Sequence, residues 1–131
     1  MPNPSDGKEP APGFSTNIFR LTTDVAVLEL HGELDCYTQV ALPPALEAVG
    51  EINLVIDFRG LRYMGADALP AFLKAYQRRA VNGGRIALVV CSDQSTIRKV
   101  LRIWFQHYKL SEKIGVYPDT ESALTALAIN P

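Results

Sequence analysis

Two short runs of almost unbroken apolar residues, NLVIDF (53–58) and RIALVV (85–90), constrain the fold more than anything else in the chain. A strand with one wet face alternates polar and apolar residues. A run that is apolar throughout, and too short for a helix, reads instead as a strand covered on both faces. Between the two runs the spacing turns helical. Leu69, Phe72, Leu73, Tyr76 and Ala80 share one stripe, with Lys74, Gln77 and Arg78 away from it. Strand, helix and strand joined by short connections form a right-handed parallel crossover, so the chain reads as α/β with NLVIDF in the centre of the sheet.

The flanking segments extend this unit. NIFRL (17–21), a turn at Thr22-Thr23-Asp24 and VAVLELHGEL (25–34) read as an antiparallel hairpin. In YTQVALPPALEAVG (37–50) Thr38 is a candidate cap. Pro43 and Pro44 each remove a backbone donor, so the helix is expected to restart with both prolines in its first turn. Asn82-Gly83-Gly84 stops the next helix, and Ser92 or Asp93 is expected to cap the one after it. In that helix Ile97, Val100, Leu101, Trp104 and Tyr108 form the inward stripe, with Phe105 offset and protruding, a candidate contact for a partner or for a second copy in a homodimer. KIGVYP (113–118) reads as a last edge strand, and Asp119 as the cap of DTESALTALA, with Ala123, Leu124 and Leu127 inward. The first thirteen residues hold four prolines and little apolar bulk, which predicts a flexible tail at 1–13 and a single domain at 14–131.

Charge and composition narrow the function. A net charge of −1 gives no bulk attraction to nucleic acid or anionic lipid. No apolar run approaches the roughly 20 residues that cross a bilayer, and the N-terminus lacks the pattern of a signal peptide, so a cytoplasmic protein without membrane insertion is expected. Cys36 and Cys91 lack metal-ligand spacing, and His31 and His107 stand alone, so no metal is implied. No Gly-rich phosphate loop follows the first strand, and no nucleophile, base and oxyanion donor line up. A binding protein without cofactor is expected rather than an enzyme.

Four segments are more specific than their periodicity. HGELDCYT (31–38), LVIDFRGLRYMGADAL (54–69) and GGRIALVVCSDQSTIRKVL (83–101), followed by VYPDTESAL (116–124), together resemble the STAS domain over about residues 15 to 127. That is the fold of bacterial anti-sigma factor antagonists and of regulatory segments on some anion transporters. The resemblance implies a STAS-like mixed β-sheet, an N-terminal hairpin plus parallel βαβ strands, with helices packed on it. It also implies a transcription regulator that sequesters a kinase-like anti-sigma factor ATPase and so releases a sigma factor. In the family the segment matching residues 64–69 usually reads Met-Asp-Ser-Ser-Gly-Leu or a Thr variant, and the partner kinase phosphorylates the first hydroxyl. Here Gly65, Ala66, Asp67 and Ala68 stand in place of Asp, Ser, Ser and Gly. Ala66 has no oxygen to phosphorylate, so the resemblance implies a docking face that has lost its usual switch.

By the same resemblance that face comprises Asp35 and Thr38 after GELD, the corner Gly65, Ala66, Asp67, Ala68 and Leu69, and the outer side of the following helix with Lys74, Gln77 and Arg78. Pro70 moves the expected helix cap to Ala66 or Asp67. Asp67 then has two readings: a cap for the backbone N–H near Leu69, or a fixed charge that imitates phosphate. Cys36 and Cys91 both fall after strands at one sheet edge, near Ala66 and Asp67, and are candidates for a redox switch. The bridge is opposed by the roughly two 4.8 Å strand spacings between them. Other readings of the family are an accessory subunit of an ABC-type lipid transporter and a module that senses a small ligand.

Overall fold

The computed structural model describes residues 13–50, 53–81, 83–110 and 114–129. The expected flexible tail therefore lies, but for Gly13, outside the described residues, as does Asn82. Among the described residues five strands form one sheet in the order β1 (Phe14–Arg20), β2 (Val25–Leu34), β3 (Asn53–Met64), β4 (Ile86–Val89), β5 (Gly115–Tyr117). β1 is antiparallel to β2, and every other pair is parallel. The hairpin, the central position of NLVIDF and the final edge strand are as the sequence implies.

Both sheet faces are covered, which is why the central strands are apolar throughout. On one face Leu28, Ile56, Leu88 and their neighbours pack against α1 (Leu42–Ala48), α2 (Leu69–Val81) and α3 (Ser95–Tyr108). The aromatic rings of Phe58, Phe72, Trp104 and Phe105 run through this layer, with successive centroids 5.5, 6.2 and 5.4 Å apart. On the other face the residues between them, Val27, Val55, Ala87 and Val89, pack against Ala123 and Leu127 of α4 (Thr120–Ile129). Asp119 caps α4 as expected, its Oδ1 accepting the Ser122 N–H at 2.7 Å. Prolines 43 and 44 stand in the first turn of α1, after a separate 3-10 turn at Gln39–Ala41.

The structure departs from the sequence reading in four places. First, the central strand does not end with NLVIDF: β3 continues through RGLRYM to Met64, paired with β2 all the way to Leu34↔Met64. The β2 register shifts at Glu29/His31 and Gly32/Glu33. Glycine is required opposite these irregularities. Gly32 has φ +95° and a Cβ there would overlap the Gly13 carbonyl, and a Cβ on Gly60 would overlap the His31 ring. Second, α3 begins at Ser95 after Gln94, with no side-chain cap from Ser92 or Asp93. Third, Phe105 is buried and Tyr108 is 42% exposed, the reverse of the expected assignment. The chain reverses at Lys109 (φ 58°) and buries Leu110 and Ile114, so the helix end turns Phe105 inward.

Fourth, Ala80 is exposed and Arg79 is buried at 2% exposure. Arg79 Nη1 donates to the Ala75 carbonyl at 3.1 Å and Nη2 to the Gly50 carbonyl at 2.5 Å, tying α2 to the end of α1. Removing this side chain leaves a void and strips a carbonyl of its donor. Arg79→Ala is expected to destabilise the fold by about 3 kcal/mol in urea unfolding, with Arg79→Lys recovering part of the loss. A change within experimental error would mean that the buried guanidinium holds nothing together.

Candidate functional site

The site forms where β2 and β3 outrun their neighbour. β4 stops at Val89, level with Asp57, whereas β2 accompanies β3 seven residues further, to Met64. The last rung is closed by the Gly65 N–H, which donates to the Leu34 carbonyl at 2.9 Å. The loop after GELD and the corner after β3 are therefore held side by side.

Asp35 builds the first loop. Its Oδ1 accepts the N–H groups of Tyr37 and Thr38 at 2.9 and 3.0 Å, and these donors hold its carboxyl below the ordinary value of 3.8. Thr38 stands at the cap position of the 3-10 turn, as the sequence implies, but its side chain makes no capping bond. Buried beneath the loop, its hydroxyl donates to the Glu33 carbonyl at 2.8 Å and accepts the Asp35 N–H at 2.9 Å. It shapes the surface from below and is not available to touch a partner.

At the second loop Gly65 is extended (φ −86°, ψ 160°), and Ala66–Ala68 form a 3-10 turn before α2 starts at Leu69. Neither Ala66 nor Asp67 caps the helix. The cap position of the 3-10 turn falls on Gly65, which has no side chain to offer, and Pro70 in the first turn of α2 has no N–H to cap. The Asp67 carboxylate makes no capping bond and stands exposed beside Ala66, while Ala68 is buried and Leu69 half-buried. The Leu69 N–H, which the capping reading assigns to Asp67, donates instead to the Ala66 carbonyl.

The two loops enclose a groove of about 360 Å³, lined by Gln39, Val40, Leu42 and Pro43 on one side and by Asp67, Ala68, Pro70 and Lys74 on the other. Lys74, Gln77 and Arg78 are all exposed on α2. Lys74 reaches the groove and Arg78 Nη1 approaches Glu47 Oε2 at 3.9 Å, but Gln77 lines neither this groove nor the one between α1 and α2. Three apolar side chains missed in the sequence flank the corner. Tyr37 is 84% exposed and Val40 75%, and the Tyr63 ring lies against Gly65.

Two polar contacts secure the surroundings. Gln94 covers the backbone of β3 where β4 is missing: its Nε2 donates to the carbonyls of Phe58 and Leu61 at 2.8 and 2.9 Å, and its Oε1 accepts the Cys91 N–H at 2.9 Å. Arg59 grips the buried Asp57 through Nε and Nη2 at 3.0 and 2.9 Å and donates to Thr120 Oγ1 at 3.0 Å. Those Asp57 contacts raise the arginine's pKa further above its ordinary range.

The strand lengths also settle the cysteines. Cys36 follows the end of β2 and Cys91 the end of β4, so they differ by about seven residues, or roughly 20 Å, along β3, besides lying on opposite sides of it. A disulfide needs Cα atoms within about 7 Å, so this fold does not permit the bridge, and only Cys36 is near the corner. Among the described residues no cluster of His, Cys, Asp and Glu could hold a metal, and no helix is long and apolar enough to cross a membrane.

The sheet order, the three helices on one face and the corner at the end of β3 define an α/β domain of the anti-sigma factor antagonist fold. The model of the STAS domain matches residues 18–123, and the chain belongs to that family. Solved structures that it resembles include an anti-sigma factor antagonist from Mycobacterium paratuberculosis, at 25% identity and TM-score 0.70, covering 90% of this chain and 97% of that one. SpoIIAA in its unphosphorylated form aligns at 22% identity and TM-score 0.64, covering 87% and 96%. The Bacillus cell fate determinant SpoIIAA in the phosphorylated form aligns at 20% and 0.61, covering 86% and 98%. A search of curated protein sequences gives no match.

The Asp35 loop makes a prediction about pH. A carboxyl whose folded pKa lies below its unfolded one stabilises the fold above the unfolded value and loses that contribution as pH falls through the folded one. The stability gap between the native protein and Asp35→Ala should be constant above about pH 5 and shrink below 3.8 in urea titrations. A gap that stays the same down to the acid transition would show that the loop does not depend on the ionised carboxylate.

Proposed function

We propose that the protein is a non-catalytic, cytoplasmic anti-sigma factor antagonist, which binds a kinase-type anti-sigma factor through the paired loops and so frees a sigma factor. The docking surface consists of the Asp35 loop, the exposed Ala66 and Asp67, and the Lys74 side of α2, with Tyr37, Val40 and Tyr63 supplying apolar contact. Thr38 and Ala68 support it from beneath. One observation carries this reading: an exposed corner, next to the groove and flanked by exposed apolar side chains, occurs where the family resemblance puts the partner-facing switch. The printed descriptions of the structural neighbours, anti-sigma factor antagonists, point the same way.

The switch itself differs. With Ala66 in the hydroxyl's place, the partner's kinase activity has nothing to modify at this position. Asp67 supplies one constant negative charge beside it, at the N-terminal end of α2, where the helix dipole favours an anion. The antagonist then acts by occupancy and by its cellular concentration, with an affinity set below its maximum by the fixed charge.

The test begins with capture of the tagged protein from lysate of its own cells and identification of what it retains. An anti-sigma factor ATPase is expected, and recovery of a transporter ATPase in its place would overturn the partner assignment. With the purified anti-sigma factor, Asp67→Ala is expected to bind about fivefold tighter, with little change in stability because no capping bond is lost. ATP should leave the intact mass of the native protein unchanged. Equal or weaker binding by Asp67→Ala would remove the carboxylate's role as a brake.

A further inference from the structure

On the far side of α3 from α2, Arg98, Leu101, Arg102, Phe105 and Gln106 face Val116 of β5 across a cavity of about 320 Å³. That size falls in the roughly 300–1,000 Å³ range of small-ligand pockets. Its floor is apolar: Leu101 and Phe105 are buried core residues, and Val116 adds a half-open wall. Its rim is cationic. Arg98 and Arg102 stand one helical turn apart, both exposed, and the lining includes no carboxylate. Among the described residues neither guanidinium has an ion-pair partner, although Arg59, Arg62 and Arg78 each have one. Two guanidinium groups that have no carboxylate partner among the described residues, set beside an apolar cavity, complement a ligand with an anionic head on an apolar body.

The geometry points to a binding site for a small amphiphilic organic anion, its carboxylate or equivalent head on Arg98 and Arg102 and its apolar body over Leu101, Phe105 and Val116. An acidic peptide matches the charge, but the compact volume and the buried apolar floor favour a ligand of small-molecule size. The site shares no residue with the Ala66 corner and stands independently of the partner proposed there.

Trp104, the only tryptophan, lies 5.4 Å from Phe105 by ring centroid, so its fluorescence reports on the cavity floor. The experiment titrates the full chain with octanoate and, in parallel, with octanol. Octanoate is expected to give a saturable fluorescence change at a concentration at least about tenfold below that of octanol, as befits two charge-assisted contacts. The Arg98→Gln/Arg102→Gln double variant, both positions being exposed, should keep its unfolding midpoint and lose about tenfold in octanoate affinity with its octanol response unchanged. Equal binding of octanoate and octanol, or an undiminished octanoate affinity in the variant, would overturn the assignment. So would a Glu-rich peptide that saturates the protein when octanoate does not, which would make the surface a protein-docking edge instead.

Discussion

The parallel pairing of β2 with β3 beyond the end of β4 is the constraint on which the rest of the site depends. Without it the hydrogen bond from Gly65 to Leu34 has no partner, and the two loops part. The pairing needs glycine at 60, where a Cβ would overlap the His31 ring and crowd the Leu30 carbonyl of β2. It also leaves the β4-facing side of β3 bare beyond Asp57. Gln94 answers that need by bonding two β3 carbonyls with one amide, which explains a glutamine in a position where the sequence offers two better helix caps.

This arrangement separates scaffold from surface within a few residues. Thr38 and Ala68 are buried and hold the loops, while Ala66, Asp67, Tyr37 and Val40 are exposed and free to meet a partner. An alanine at 66 leaves that scaffold intact, since nothing in the loop geometry uses a side chain there. Under the proposed reading it is control that changes: a charge that arrives and leaves gives way, in Asp67, to one that is always present.

Much of the fold was legible in the sequence because burial on two faces leaves a continuous apolar mark, and turn residues punctuate it. NLVIDF, RIALVV, the double proline and Asp119 each occupy the place their chemistry implies. What was not legible depends on tertiary context. The extension of β3 through RGLRYM is polar on its outer side and looks like a loop until β2 is set beside it. Arg79 carries the wrong sign for a core position until the Gly50 carbonyl arrives from another element. Phe105 and Tyr108 exchange roles because the chain reverses at Lys109, a left-handed turn made by a lysine rather than a glycine. At the corner the sequence shows that residue 66 carries no hydroxyl, but the exposed carboxylate of Asp67 follows from the 3-10 turn, since an aspartate before a helix ordinarily caps it.

The most direct measurement is hydrogen exchange on the protein alone and in complex with the proposed anti-sigma factor partner, with and without ATP. Slowed exchange in the Asp35–Ala41 loop and from Gly65 through the first two turns of α2, unaltered by ATP, is the expected result. Protection confined to α3 and β5, or protection at the corner that ATP abolishes, would contradict a docking face that works without a phosphate switch.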